Sequence, residues 1–306
     1  MTTTLPAEAA GRRIVVDGPA KTNLTLHVGA PRAEWGGRHE LDTVYCALGL
    51  YDTVTVEAKE PGTGYSLDLA GAYLGDLASS NSDMRRNHAV LALLAMARAA
   101  GREPDVAIRI DKRIPVGAGL GGGSVDAAAT ILGLNELWDL DWPLERLLPV
   151  AATLGADMPF CVAGGYARGT GYGEIVEPLA DDDPAVAALR DAGYGGVAVI
   201  GAYQAQLGTP EVYGAFDVLG GDGSPNDLQA AAVSLHPRSG HAIAVAGDAG
   251  ATAAFVSGSG PSVVAFAPDT DAALRVQEAW RAARAVDRMF LATPGARPRV
   301  HESLRE

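Results

Sequence analysis

IPVGAGLGGGSVDAAATILGLNELW, residues 114–138, decides how the rest of the chain is read. Five of the eight residues from Gly117 to Ser124 are glycine. Just upstream, Val106 to Ile110 alternates as a β-strand does. From Ser124 to Leu137 the run is alanine-rich and reads as a helix. A glycine loop so placed lets backbone N–H groups approach an anion closely, because no Cβ stands in the way. The N-terminus of the following helix adds positive potential. The loop therefore reads as a phosphate cradle. A flexible linker has the same composition but is rarely set between a strand and a helix with apolar flanks.

Two familiar phosphate loops fit poorly. A Walker A loop needs Gly-Lys-Ser/Thr, and the loop has no lysine. Gly117-x-Gly119-x-x-Gly122 satisfies the dinucleotide spacing, but that fingerprint wants a second strand ending in an acid about twenty residues on. Here the interval is a helix followed by LNELWDLDWP.

Outward from the loop, residues 13–17 and 22–28 read as strands with a corner at Pro19-Ala20-Lys21, followed by a polar loop over 30–38. Residues 43–50 and 53–58 read as extended. Asn87 to Ala100 reads as a helix stopped by Gly101, and Leu144 to Leu154 as another, ending at Gly155. Phe160 to Ala167 and Gly196 to Gly201 read as strands. Helical patterns cover 210–219, 227–235 and 270–285, and two short strands, 254–256 and 263–267, flank Ser257-Gly258-Ser259-Gly260-Pro261-Ser262. The order, strand-rich first and mixed afterwards, predicts an α+β protein of two lobes, divided at about residue 170.

The chain has 306 residues and a formal charge of −13, which disfavours nucleic acid and anionic membranes as partners. With 48% hydrophobic and 20% charged residues it has the composition of a packed globular protein. No apolar run is long enough to span a bilayer, and MTTTLPAEAAGRR lacks the order of a signal peptide, so a cytoplasmic location is expected. Cys46 and Cys161 are too few for a disulfide framework or a zinc cluster. Only three of the 24 cationic residues, Lys21, Lys59 and Lys112, are lysine. A lysine here is therefore informative, since ammonium and guanidinium do different work.

At this point the sequence resembles the GHMP small-molecule kinases. The loop at 114–124 is similar to their ATP-binding signature, Pro19-Ala20-Lys21-Thr22-Asn23-Leu24 to their N-terminal motif, and residues 256–262 to their C-terminal glycine motif. Three further blocks, 110–115, Gly155-Ala156-Asp157-Met158-Pro159-Phe160 and Thr209-Pro210-Glu211-Val212-Tyr213, resemble the branch of that family acting on 4-diphosphocytidyl-2-C-methylerythritol in the non-mevalonate isoprenoid route. The six blocks lie in the same order and span nearly the whole chain.

The resemblance implies transfer of the ATP γ-phosphoryl to a hydroxyl of that cytidine diphosphate alcohol, in a cleft between two α+β lobes. Such chemistry is mostly positioning and charge neutralisation. Asp157 is implied as the general base or hydroxyl-orienting group, with Lys21 beside it balancing charge on the transferring group. Taken singly, Asp157 reads as a turn aspartate and Lys21 as a strand-corner lysine. Pro115, Gly117, Gly119, Leu120, Gly121, Gly122, Gly123 and Ser124 are implied to hold the ATP phosphates, Ser124 doubling as a helix cap. Lys112 and Asn87 are implied on the adenine side, although Asn87 equally suits a helix N-cap. Mg²⁺ is expected to arrive with the nucleotide, with no dedicated protein metal site.

For the substrate, Asn23, His39 and Tyr213 are implied contacts of the cytidine diphosphate, joined by Gly258, Ser259 and Gly260. Tyr213 equally suits a helix core. The family commonly has an aromatic before the histidine, whereas here Arg38 precedes His39 after a longer loop containing Trp35. Arg38 stacking on the base, or Trp35 folding in, are the two expected substitutes. A kinase of the same family for homoserine or mevalonate, or an inactive nucleotide-binding relative, are the alternatives. The sequence leaves the oligomeric state open.

Overall fold

The structure, a computed structural model, describes residues 11–72 and 84–303. Strands β1 (Arg13–Arg32) and β2 (Arg38–Ala58) form one long antiparallel pair. The two N-terminal strand segments expected from the sequence are thus one strand. Their expected corner is a register shift: Pro19 pairs with Tyr51, but Ala20 pairs with Leu48. A proline cannot donate to the ladder, so the irregularity falls where a donor is missing. Beyond the shift, Lys21 lies opposite Ala47 and Asn23 opposite Tyr45. Side chains two apart on a strand share a face, which puts Lys21 and Asn23 side by side.

The sheet continues through β3 (Ser66–Gly71), β4 (Val106–Lys112), β5 (Tyr166–Thr170), β6 (Ile175–Leu179) and β11 (Arg299–Ser303), in the order β11-β1-β2-β4-β3 with β5 and β6 attached to β2. Helix α1 (His88–Ala100) is capped by the Asn87 side chain, which accepts from Ala89 N–H, and is stopped by Gly101 in the left-handed region. Helix α2 (Gly122–Leu137) packs on β1 and β2. Every residue from Val125 to Ile131 is buried. Its alanines let strands and neighbouring helices approach from all sides.

Helix α3 (Leu144–Ala152) precedes a turn and helix α4 (Met158–Ala163). The sequence pattern predicted a strand over Phe160 to Ala167; it is a helix up to Ala163, and the strand begins only at Tyr166. Pro159 explains the difference. A proline in the first helical turn loses no hydrogen bond, and a short buried helix and a buried strand share one unbroken apolar run.

The second sheet, β10-β7-β9-β8, joins β7 (Val197–Ala202), β8 (Ala253–Val256), β9 (Val263–Ala267) and β10 (Arg288–Ala292), all antiparallel. With it lie α5 (Pro184–Leu189), α6 (Thr209–Leu219), α7 (Gln229–Leu235), α8 (Pro237–Asp248) and α9 (Thr270–Ala283). Helix α8 escaped the sequence pattern because Ser239, Gly240 and Gly247 weaken its helical signal. Buried Trp280 on α9 donates from Nε1 to Ala242 O on α8 at 2.8 Å, tying the two helices together. The segment before α7 reaches back to β1, with Leu26 N–H donating to Pro225 O and Asp227 N–H to Leu26 O. Among the described residues no helix is long and apolar enough to cross a membrane.

Candidate active site

Three loops meet at one point. The backbone N–H of Lys21 donates to Leu120 O at 3.0 Å, and Leu120 itself is buried and pins the glycine loop to the core. Ser257 Oγ donates toward Gly119 O at 3.1 Å or Thr22 Oγ1 at 3.0 Å, and Ser262 N–H donates to Ala118 O. Two glycines are required here. Gly119 has φ +78°, and a Cβ there would stand 2.3 Å from Ser257 O; Gly121 has φ +74°, and a Cβ there would stand 2.7 Å from Lys21 Cγ. Both conformations disfavour an L side chain, and both spaces are already taken. The α2 N-terminus that follows has no side-chain cap, so its first N–H groups are open to an anion. That cradle fits the phosphates of a nucleotide.

Lys21 Nζ lies 3.0 Å from Asp157 Oδ2 and donates to Asn23 Oδ1 at 3.1 Å. Asn23 Nδ2 donates to Thr43 Oγ1, which in turn donates to Thr25 O. Both ends of the Asn23 amide are engaged within the protein, so its side chain acts as the rest that aims Lys21. Asp157 sits at the start of α4 but does not cap it; its carboxylate faces Lys21 and the Tyr45 hydroxyl instead, the latter at 3.2 Å. Tyr45 stacks on Phe160 with ring centroids 4.8 Å apart. Burial, reinforced by the Asp157 charge, raises the Tyr45 pKa well above its ordinary value, keeping it a neutral donor. Lys21 is 7% and Asp157 34% exposed at the side chain, so the lysine is the wall and the carboxylate is what a ligand meets.

These residues line a cleft of about 260 Å³ with Ser124, Gly258 and Ser259. It opens into a second hollow of about 600 Å³ lined by Arg38, His39, Tyr172, Thr209, Tyr213 and Asp217. Gly260 is buried behind this rim, its N–H donating to Ser257 O. A hollow of about 710 Å³ between α1 and α3, lined by Leu94, Arg98, Pro149 and Val150, is larger, but it brings together neither a carboxylate nor a loop of open N–H groups. Among the described residues no three His, Cys, Asp or Glu side chains gather as a metal site.

The structure thus brings Lys21, Asn23, Asp157, Ser124, Tyr213, Gly258 and Ser259 into one cleft, with His39 next door. Two expectations for the adenine side need correction. Lys112 is 1% exposed, sealed beneath the glycine loop with Nζ 2.5 Å from Asp52 Oδ2 and 2.7 Å from Asp126 Oδ2. A compact ammonium between two buried carboxylates is a structural clamp, and its side chain does not line the cleft. Asn87 spends its side chain on the α1 cap, while its neighbour His88 lines the cleft.

Sequence reasoning also missed Tyr172. Neither Arg38 nor Trp35 acts alone: the Arg38 guanidinium lies 4.6 Å from the centre of the Tyr172 ring, and Trp35 meets the same ring edge-on at 5.8 Å. Tyr172 lines both hollows. The glycines on either side of it were the visible signal, marking a tight turn able to present a side chain between β5 and β6.

The family model for the GHMP kinases N terminal domain matches residues 87–165, and that for the GHMP kinases C terminal matches 215–285. The chain is 68% identical to a Bifidobacterium adolescentis protein, 4-diphosphocytidyl-2-C-methyl-D-erythritol kinase, over 94% of each. It is 31% identical to a solved 4-(cytidine 5'-diphospho)-2C-methyl-D-erythritol kinase, with a TM-score of 0.69 over 92% of this chain and 99% of that one. The homoserine kinase of Cytophaga hutchinsonii shares the fold, with a TM-score of 0.70 at 19% identity over 94% of this chain and 97% of that one. The chain belongs to the 4-diphosphocytidyl-2-C-methyl-D-erythritol kinase family within the GHMP kinases.

Proposed function

We propose that this enzyme transfers the γ-phosphoryl group of ATP to a hydroxyl of 4-diphosphocytidyl-2-C-methyl-D-erythritol, in the non-mevalonate route to isoprenoid precursors. The observation that carries the reading is the Lys21–Asp157 contact facing the glycine cradle in one cleft, with an aromatic-lined hollow alongside. In this reading residues 1–170 supply the nucleotide lobe and 171–306 the substrate lobe, with β6 and β11 returning to the first sheet.

The open N–H groups at the start of α2 and the loop from Gly117 to Ser124 hold the phosphates, and Mg²⁺ enters on the nucleotide. Asp157 keeps unused lone pairs on both carboxylate oxygens while contacting Lys21 and Tyr45. One of them takes the substrate hydroxyl and accepts its proton as the alcohol oxygen bonds to the γ-phosphorus and the bond to the bridging oxygen breaks. Lys21 lies between the carboxylate and Gly258, where negative charge gathers on the transferred group. Its fixed aim, set by Asn23, means no reorganisation is needed during the step. His39, Tyr213 and Tyr172 face the hollow that takes the cytidine end.

The test is ADP release with Mg-ATP and a panel of 4-diphosphocytidyl-2-C-methyl-D-erythritol, homoserine and mevalonate. Turnover confined to the cytidine compound is expected. Turnover of homoserine or mevalonate instead would replace this reading with another alcohol substrate.

A further inference from the structure

We infer that Asn226 is a positioning residue for the transfer step: its buried amide holds Gly258 against Lys21 and turns the Ser259 N–H toward the transferred group. The inference rests on the reaction proposed above and adds a residue from outside the six sequence blocks.

Asn226 is fully buried, and both ends of its amide are engaged. Nδ2 donates to Val256 O and to Gly258 O, both at 2.8 Å, and Oδ1 accepts from Leu228 N–H at 3.0 Å. The two carbonyls only accept and the N–H only donates, so the amide has one orientation. The backbone on either side of it is tied to β1. Leu26 N–H donates to Pro225 O at 2.7 Å, Asp227 N–H to Leu26 O at 2.9 Å, and Val28 N–H to the Asp227 carboxylate. Gln229 Oε1 accepts from Val256 N–H. Residues 225–229 thus splice β1, the strand that carries Lys21 and Asn23, to the loop that follows β8.

That loop crowds the lysine. Gly258 has φ +56°, and a Cβ there would stand 3.2 Å from Lys21 Nζ and 3.4 Å from Asn23 Oδ1. A small shift of Gly258 therefore moves the ammonium or collides with it. A trans peptide carries its C=O and the next N–H on opposite edges. Pinning Gly258 O to the buried amide turns the Ser259 N–H the other way, to the side of the cleft that Ser259 lines with Lys21 and Asp157. A backbone N–H fixed there, beside the ammonium, stabilises negative charge on the transferred group without having to reorganise.

The test measures kcat by ADP release and the affinity for a non-hydrolysable ATP analogue by calorimetry, on full-length protein at a temperature where each variant is fully folded. Asn226→Asp keeps the shape and the oxygen that Leu228 uses, but sets a second oxygen against two carbonyls. Its kcat is expected to fall about 100-fold, the scale of a displacement of about 1 Å at a reacting centre. The analogue affinity is expected to change little, because the amide does not touch the loop from Gly117 to Ser124. Asn226→Ser can donate to one carbonyl at a time and is expected to lose about tenfold, the scale of one hydrogen bond. A kcat in Asn226→Asp close to that of the wild type would overturn the inference. So would equal losses of kcat and analogue affinity, the mark of a merely structural residue, and so would failure of both variants to fold. The substrate reading fails separately: a wild type that turns over homoserine or mevalonate in place of the cytidine compound changes the substrate, and the ratio of variant to wild type on that alcohol still decides Asn226. A wild type that turns over none of the three rejects the kinase reading and this inference with it.

Discussion

Lys21 Nζ stands 3.0 Å from Asp157 Oδ2, joining a strand near the N-terminus to the residue just before a short helix in the middle of the chain. The ammonium is fixed by Asn23, and the carboxylate is fixed by Tyr45. Asp157→Asn keeps the shape and loses the proton acceptor. Turnover is expected to fall by about 10²–10⁴ while ATP binding is retained. Lys21→Met is expected to lose turnover on the same scale. Retained turnover in Asp157→Asn, measured by ADP release, would leave that residue an orienting role only.

Gly119 and Gly121 do different work, and alanine should separate them. In Gly119→Ala the new Cβ collides with backbone, 2.3 Å from Ser257 O, at the joint between the two glycine motifs. The expected result is a fall in Tm together with loss of ATP affinity, on the order of 1–3 kcal/mol in stability from the strained φ alone. In Gly121→Ala the Cβ meets the Lys21 side chain, 2.7 Å from Cγ, and pushes the ammonium off its aim. Here turnover should suffer more than Tm. Equal effects on Tm and turnover in the two variants would contradict the distinction.

The parts of this site that were legible in the sequence are those whose chemistry is local. The glycine run, the helix after it and the Gly101 stop are written in backbone conformation, and backbone preferences act over a few residues. The pairing of Lys21 with Asp157 was legible only through resemblance, since nothing in either local sequence calls for the other. Tyr45 was illegible because its position depends on the register of β1 against β2, beyond a shift that the sequence suggests only as a corner. Asp217 sits in an ordinary helix pattern, and its contact with His39 arises only because β2 carries that side chain beside α6. Lys112 was misjudged because two carboxylates from β2 and α2 converge on it in space, Asp52 and Asp126, and no spacing announces that.

Tyr172 carries the Arg38 guanidinium on its face and Trp35 at its edge, so two side chains from the stretch leading into β2 rest on one ring. Such a cation–aromatic stack at an exposed rim contributes about 0.5–1 kcal/mol, and a base stacking nearby about 1–3 kcal/mol. Tyr172→Ala is therefore expected to raise the KM for the cytidine substrate about tenfold or more, with kcat and the KM for ATP little changed. Tyr172→Phe keeps the ring and should restore most of the loss. An unchanged KM in Tyr172→Ala would remove this ring from substrate recognition.

The clamp beneath the glycine loop predicts a dependence of stability on pH. Lys112 donates to Asp52 and Asp126, while Asp52 also accepts from the N–H groups of Arg113 and Ile114. Asp126 Oδ1 has no hydrogen-bond partner. Two carboxylates for one ammonium leave a surplus negative charge in the core. Burial, and secondarily the Asp52 charge against the opposing pull of Lys112, pushes the Asp126 pKa from 3.8 up to about 8. A folded-state pKa raised above the unfolded one means the folded protein holds the proton more tightly. The stabilisation is therefore complete below about pH 4 and is lost as pH rises through about 8. Lys112 adds to the loss only at higher pH, because burial opposes its charge but the two carboxylates outweigh that and raise its pKa above 10.5. Asp126→Asn fixes the neutral state. Its Tm should change less than that of the wild type between pH 6 and 9, the two curves diverging by a few degrees at the alkaline end. Parallel Tm curves would mean that Asp126 is ionised throughout, with Lys112 balancing both carboxylates.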